Sequence, residues 1–177
     1  TWSNGRVSDA VNNYLQINTT DAENLLSNYW GYGGPSSSTV GIGTYTGNNT
    51  NNEDMISWCF SPVENFSLFS SYEGNGSGEG PYVFCGFSPR WLMIKCIDNY
   101  GSGYDWFIFD TKRSQSNVAA DILKANTNAT ESSSSEAVDI LSNGFKIQSN
   151  ANGINLNAHT FIFAAFAEHP FRTARAR

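Results

Sequence analysis

The sequence predicts an all-β protein made of two related β-sandwich, jelly-roll-like units, the first incomplete at its N-terminal side. Short apolar runs of strand length alternate with turns rich in Gly, Asn and Ser. Stretches that favour helix are few, and none reaches the ~10 residues of a typical helix. Blocks of the front half recur in the same order roughly 105 to 108 residues later. These three observations favour small sheet-based domains over a helical bundle or a solenoid.

The repeated blocks also set the predicted domain boundaries. The matching pairs are Leu15–Thr20 with Leu123–Asn128, Val40 and Ile42 with Phe145 and Ile147, and Met55–Phe60 with Phe161–Phe166. On this basis residues 1–65 are the C-terminal part of a first unit, and residues 66–177 are a complete second unit. We expect the chain to be a piece of a longer protein. The alternative is a genuine half-unit, whose unpaired strand edges would invite pairing with another chain.

Strand signals are clearest in the back unit. Trp91–Ile97 is almost wholly apolar, which predicts a central strand with both faces buried. The other predicted strands are Leu68–Tyr72, Tyr82–Phe87, Asp105–Asp110, Gly144–Ile147 and Thr160–Phe166.

The segments between these strands predict turns, one loop and two short helices. Turns are expected at 73–76, 98–103 and 150–153, where Gly and Asn tolerate positive φ. Ser132–Ser135 reads as a loop. Asn117–Lys124 and Glu136–Leu141 predict helices of one or two turns each.

The composition indicates an uncharged polar surface over an aromatic core. Charged residues make up 15% of the chain, aromatic residues 14%, and the net charge is −6. A negative chain without a basic patch is not suited to phosphate backbones, so no nucleic acid partner is expected. No apolar run approaches the length of a membrane span, so no membrane insertion is expected.

The three cysteines, Cys59, Cys85 and Cys96, each lie within an apolar run. Their number is odd, and their spacing matches no metal-binding motif. We predict buried free thiols, with a bridge between Cys85 and Cys96 as the alternative. Neither a metal nor a cofactor is expected.

The acidic residues do not predict an enzyme. Asp105 and Asp110 bracket one strand at an odd separation, which places their side chains on opposite faces. Glu168 lies just before a strand exit, where tying a loop is the favoured role. The alternative is a polysaccharide-degrading enzyme, which would need two carboxylates in one cleft. We therefore predict no catalytic residue.

Residues on glycine- and asparagine-rich loops are the candidate binding positions. Aromatic rings there can stack on sugar faces, although the same rings can instead fold back to cover the core. The candidates are Trp30, Tyr32, Asn75, Tyr100, Tyr104 and Asn152.

Six consecutive motifs resemble a β-rich domain that recurs, often in tandem, in tail-fibre and other structural proteins of tailed bacteriophages, especially marine ones. The motifs are Phe69–Gly76, Gly80–Pro89, Trp91–Lys95, Asp105–Arg113, Asp139–Lys146 and Phe163–Phe171. The resemblance covers about residues 66–177, and the front piece looks like the rear of a preceding copy.

The resemblance implies a location on the virion, an all-β fold and assembly with other virion proteins. It also implies copies of the chain in a homo-oligomer, with a trimer as one candidate state, and a host-surface glycan or receptor as a candidate ligand. It carries over no functional residue. The expected function is therefore a tail-fibre or related tail protein that binds the host surface. The alternative is a capsid decoration protein, or another virion protein that makes only subunit contacts.

Overall fold

The all-β prediction is confirmed by a computed structural model that describes residues 12–31, 36, 38–98 and 104–169. Strands account for nearly all of the regular structure in this part of the chain, and its one helix, α1, has four residues. The elements in chain order are β1 (Asn13–Tyr14), β2 (Asn24–Leu25), β3 (Ser67–Glu73), β4 (Tyr82–Phe84), β5 (Pro89–Cys96), β6 (Phe107–Asp110), β7 (Ala119–Lys124), β8 (Ser132–Leu141), β9 (Gly144–Ile147), α1 (Asn152–Asn155) and β10 (Thr160–Ala167).

Strands β3 to β10 form one antiparallel sheet with the order β3-β10-β5-β6-β7-β8-β9-β4. Strand β7 turns the sheet into two layers. Its C-terminal end pairs with β6, with Lys124 opposite Phe107, whereas its N-terminal part pairs with β8, with Ala119 opposite Val138. A register irregularity between Ala119 and Asp121 lies in this strand, and such bulges bend and twist a sheet.

Ring contacts show that the layers face each other. Phe145 of β9 packs edge-on against Phe163 of β10 at 5.2 Å between centroids, although several strands separate β9 from β10 in the sheet order. Tyr72 of β3 also contacts Phe145, at 6.1 Å. The sheet therefore folds over itself as a sandwich around an aromatic core.

Strand β5 is central, as its sequence predicts. Leu92 and Ile94 point into the main core, whereas Met93 lies in a second cluster on the outer face. Both faces are covered, which explains the nearly continuous apolar run.

The front segment, residues 12–31, covers the outer face of β5. Leu15 is fully buried against the outer cluster, and the backbone N–H of Glu23 donates to the carbonyl of Ile97 at 3.0 Å. Within the segment itself, the rings of Tyr14 and Tyr29 stack with their centroids 4.1 Å apart.

Both predicted short helices are wrong, and so is the predicted loop at Ser132–Ser135. Residues 119–124 form β7, and residues 132–141 form β8. Ser132 and Ser133 pair with Ile122 and Asp121. These segments form strands because pairing with distant strands stabilises them more than their weak local preference for helix does.

The segment 55–60 does not repeat the structure of its sequence counterpart. Residues 161–166 lie in β10, whereas residues 55–60 lie in no strand and are exposed. All eight strands of the sandwich fall within residues 67–167. The division into two related units stays a prediction.

The cysteine prediction is confirmed in part. All three thiols are free, so Cys85 and Cys96 are not bridged, and both are buried. Cys59 is exposed, contrary to prediction, because residues 55–60 are not part of a strand of the sandwich.

Candidate functional site

An open cleft of about 670 Å³ lies where the front segment meets the start of β6, the end of β7, the middle of β8 and the start of α1. Two aromatic rings line it together with carboxylates, amides and an ammonium group. The lining residues that matter here are Thr20, Tyr104, Asp105, Phe107, Lys124, Glu136, Asn150 and Asn152.

An ion pair forms one wall of the cleft. Lys124 Nζ lies 2.7 Å from Asp105 Oδ2, and Asn126 Nδ2 donates to Asp105 Oδ1 at 2.8 Å. Burial alone would raise the pKa of Asp105, but the hydrogen bond from Asn126 and the Lys124 ammonium together hold it below its ordinary value. Asp105 is therefore kept ionised, and its charge is balanced by Lys124.

Glu136 and the first turn of α1 also line the cleft. Glu136 accepts hydrogen bonds from the hydroxyls of Ser134 and Ser135. A Cβ on Gly153 would lie 2.7 Å from Phe107 Cε2 and 3.0 Å from Glu136 Oε1. Glycine at this position lets the helix approach the strands closely enough to line the cleft.

A buried lysine fixes the rim of the cleft. Lys95 has no exposed surface, and its Nζ donates to the carbonyls of Thr20, at 2.8 Å, and Tyr104. The indole of Trp106 donates to the carbonyl of Gln16 at 3.0 Å. Burial lowers the pKa of Lys95 to about 8. These bonds place Thr20 and Tyr104 side by side on the rim.

Two amides in the cleft are available to a ligand. Asn150 and Asn152 are exposed, and within the described ranges their side chains make no hydrogen bond. An amide offers both donors and acceptors, which suits the hydroxyl groups of a sugar.

The cleft brings together two of the six predicted binding residues, Tyr104 and Asn152. Trp30 lies elsewhere and folds back, since it is half-buried and its Nε1 donates to the carbonyl of Asn13 at 3.0 Å. Asn75 ties a loop, because its side chain bonds to Asn155 and to the carbonyl of Glu79. Tyr32 and Tyr100 lie outside the described residues. The ligand-binding role of all six stays a prediction.

The remaining cleft residues were not identified from the sequence as a site. Lys124 fell within a predicted helix, and only the pairing of β6 with β7 brings it beside Asp105. No local pattern signals this pair, because the two residues meet only through strand pairing.

Glu168 has the loop-tying role that the sequence predicts. Its carboxylate accepts from Arg90 at 2.9 Å and from the hydroxyl of Thr111 at 2.7 Å. The hydrogen bond from Thr111 is the largest cause that lowers the pKa of Glu168.

Among the His, Cys, Asp and Glu residues of the described part of the chain, no group of three or more could hold a metal ion. No helix in the described ranges is both long enough and apolar enough to cross a membrane.

A family model described as "Domain of unknown function (DUF7483)" matches residues 3–170. Neither a curated protein nor a solved structure matches the chain. Because the matched region spans nearly the whole of the 177 residues, the chain belongs to the DUF7483 family.

Proposed function

We propose that this chain is a bacteriophage virion structural protein, a tail fibre or related tail protein, that binds a host-surface glycan without transforming it. The virion location rests on the sequence motifs between Phe69 and Phe171. The binding role rests on one structural observation, the cleft that combines the rings of Tyr104 and Phe107 with the unbonded amides of Asn150 and Asn152. Rings and amides together are the usual means of binding sugars, which have both apolar faces and hydroxyl edges.

The electrostatics of the cleft favour binding over hydrolysis. Glycoside hydrolysis needs one carboxyl group that is protonated and able to donate to the leaving oxygen. Asp105 is held ionised by Asn126 and Lys124, which makes it a poor general acid. Its pairing with Lys124 also leaves Glu136 as the uncompensated charge among the lining residues, which favours a neutral sugar over an acidic one.

Binding to a glycan array and to isolated host envelope tests this proposal. The informative variant is Asn150→Ala with Asn152→Ala, because it removes both amides without touching the core. We expect its affinity for the bound glycan to fall at least about tenfold, since each lost hydrogen bond is worth ~1 kcal/mol. Asn128→Ala is the matched control, an exposed asparagine outside the cleft, and it should bind as the unchanged protein does.

The result that contradicts the proposal is equal binding by the double variant and the control, or no binding to any glycan or envelope fraction. Release of free sugar from envelope by the unchanged protein would contradict the non-catalytic role.

A second candidate function, a capsid decoration or other virion protein that makes only subunit contacts, is favoured by a different observation. Met55, Ile56, Trp58 and Phe60 are 49–77% exposed, which suits contact with another protein surface. Locating the chain on intact particles by electron cryomicroscopy separates the two functions. Burial of the cleft against neighbouring subunits would favour the second, whereas an open cleft at a tail tip would favour the first.

A further inference from the structure

One ionisable side chain, Lys95, lies in the apolar central strand β5, beneath the front segment. Leu92, Ile94 and Cys96 of this strand belong to the main core, whereas Met93 belongs to the outer cluster. Because successive side chains of a strand alternate between its faces, Lys95 lies on the outer face with Met93. Lys95 nevertheless has no exposed surface. The front segment therefore encloses an amine against the sheet.

The amine of Lys95 joins the front segment to the sandwich. Its Nζ donates to the carbonyl of Thr20 in the front segment, at 2.8 Å, and to the carbonyl of Tyr104, just before β6. The backbone N–H of Tyr104 donates to the same carbonyl of Thr20 at 3.1 Å. The centre of the Trp106 ring lies 5.9 Å from Nζ. The contacts with Thr20 are made only while the segment is docked, that is, while it covers the outer face of β5.

Docking favours the unprotonated form of Lys95. Among the residues that the structure describes, no carboxylate forms an ion pair with Nζ. A buried ammonium without an ion pair is much less stable than a buried neutral amine. The neutral amine keeps two N–H groups, which are enough for the two carbonyls. Loss of the proton therefore removes the cost of burying a charge and breaks neither hydrogen bond.

The ionisable groups around Lys95 do not reverse this preference. Burial lowers the pKa of Lys95 to about 8, whereas Cys96 of β5, Asp105 before β6 and Asp21 of the front segment act to raise it. Asp105 is already ion-paired, and the pKa of Cys96 is about 11, which keeps its thiol neutral at lower pH. From β10, the residue opposite Lys95 is Ile162, which carries no charge.

We propose that the front segment is a proton-controlled strap, whose release from the outer face of β5 takes up one proton at Lys95, so that the strap is held more firmly as pH rises from 7 to 9. Release exposes Lys95 to water, where an amine stays protonated up to about pH 10. Segments held by few contacts open locally, before the whole fold unfolds. Because Thr20 lines the cleft, protonation also opens that side of the cleft. Release can be measured on the protein alone, whether or not the cleft binds a glycan.

Hydrogen exchange of single backbone amides, followed by NMR, tests the proposal. The N–H of Glu23 donates to the carbonyl of Ile97 at 3.0 Å, and that of Tyr104 donates to Thr20, so both amides exchange when the strap is released. Their protection factors are corrected for the intrinsic effect of pH on exchange. We expect these factors to rise about tenfold between pH 7 and pH 9, given a pKa of about 8 when docked and an ordinary 10.5 after release.

Two lysine variants separate Lys95 from other groups. Lys95→Met keeps an unbranched side chain without an ionisable group, so the rise in protection should disappear. Lys146→Met is the matched control, because Lys146 lies in β9 and pairs with Glu79, and it should keep the rise. The amide of Phe163 in β10 should be better protected than that of Glu23 at every pH, because it opens only with the sandwich.

A further measurement leaves Lys95 unchanged. Leu15→Ala weakens docking, because Leu15 is buried in the outer cluster. By linkage, a change that weakens docking must strengthen proton binding at Lys95. NMR of lysine labelled at Cε should therefore show Lys95 titrating at a higher pH in Leu15→Ala than in the unchanged protein.

Four results would overturn the proposal. The first is protection of Glu23 and Tyr104 that stays constant between pH 7 and pH 9. The second is a rise that persists in Lys95→Met. The third is equal protection of Glu23 and Phe163 at every pH, which would mean that the strap opens only with the whole fold. The fourth is the same titration of Lys95 in Leu15→Ala and in the unchanged protein.

Discussion

Asn155 shows at the scale of one residue how the loops of the sandwich are held. Its side chain is fully buried and bonds to two separate loops, one at 75–77 and one at Ser149. Nδ2 donates to Asn75 Oδ1, Ser77 O and Ser149 O at 2.7–3.0 Å, and Oδ1 accepts from the backbone N–H of Asn75 at 2.9 Å. One amide therefore replaces the regular pairing that these loops lack.

We expect Asn155→Ala to lower the free energy of unfolding by about 2–4 kcal/mol, because it leaves buried loop carbonyls without a donor. Urea unfolding followed by circular dichroism measures the loss. Asn157→Ala, an exposed asparagine two residues later, is the control and should change the free energy by less than ~0.5 kcal/mol. Equal effects of the two substitutions would refute the holding role of Asn155.

The sequence showed the turn at Asn75 but not its partner. Gly74 and Gly76 predict a turn by their conformational freedom, which is a local property. Asn155 lies 80 residues away, and its contact with Asn75 depends on the packing of α1. The sequence therefore offers Asn75 as a candidate binding residue but does not show that its side chain ties the loop.

At the scale of the element, the front segment depends on one buried leucine and the lysine beneath the cleft rim. Leu15 has no exposed surface and packs with Met93, Trp106 and Ile162 on the outer face of the layer that contains β5 and β10. Lys95 and Trp106 then bond to backbone carbonyls of the same segment. The position of Thr20 in the cleft follows from this packing.

We expect Leu15→Ala to destabilise the protein by about 2–5 kcal/mol, the usual cost of emptying a buried leucine site. Ile17→Ala is the control, because Ile17 is 44% exposed, and its effect should stay below ~1 kcal/mol. Thermal unfolding measures both. Hydrogen exchange should also show faster exchange in residues 12–31 of Leu15→Ala, and unchanged exchange there would mean that the segment is held by other contacts.

Strands with a strong apolar pattern can be predicted from the sequence, whereas strands with a weak apolar pattern cannot. Residues 91–97 and 160–166 are nearly continuous apolar runs, so burial on both faces was evident from the sequence. Strand β8 begins with four serines, which have no such pattern, and it forms because β7 and β9 pair with it on either side. The same strand pairings bring the residues of the cleft together, so its lining residues could not be predicted from the sequence.

For the whole molecule, the ionisable groups predict how stability depends on pH on the alkaline side. Lys95 has a folded pKa of about 8 against an ordinary 10.5, so the unfolded chain binds more protons above pH 8 and stability rises with pH there. Cys85 and Cys96 have folded pKa values of about 12 and about 11 against an ordinary 9.0, so each loses its contribution as pH rises above 9.0.

We therefore expect the free energy of unfolding to rise between pH 8 and 9 and to fall at higher pH. Denaturant unfolding at closely spaced pH values, with a reducing agent present, measures the profile. Lys95→Met should abolish the rise between pH 8 and 9, whereas a rise that persists in this variant would assign it to another group.

The dependence of stability on pH in acid follows from three carboxylates, Asp105, Asp110 and Glu168. Their pKa values all lie below the ordinary 3.8 or 4.5. Hydrogen bonds from Asn126, Arg113 and Thr111, respectively, favour the ionised forms, against burial in each case. Their contribution is complete above the ordinary values and is lost as pH falls through the folded ones. Replacing Thr111 with Val should shift the acid unfolding midpoint towards higher pH, as followed by tryptophan fluorescence.

Strand β7 belongs to both layers at once, and this limits how the fold can change in length. Inserting one residue at a hairpin tip lengthens a loop and leaves the ladders intact. Inserting one residue in β7 would reverse which side chains face inward in two ladders together, since successive residues of a strand alternate between its faces. Members of this family should therefore vary freely in the length of their surface loops while keeping the residue count of this corner strand constant.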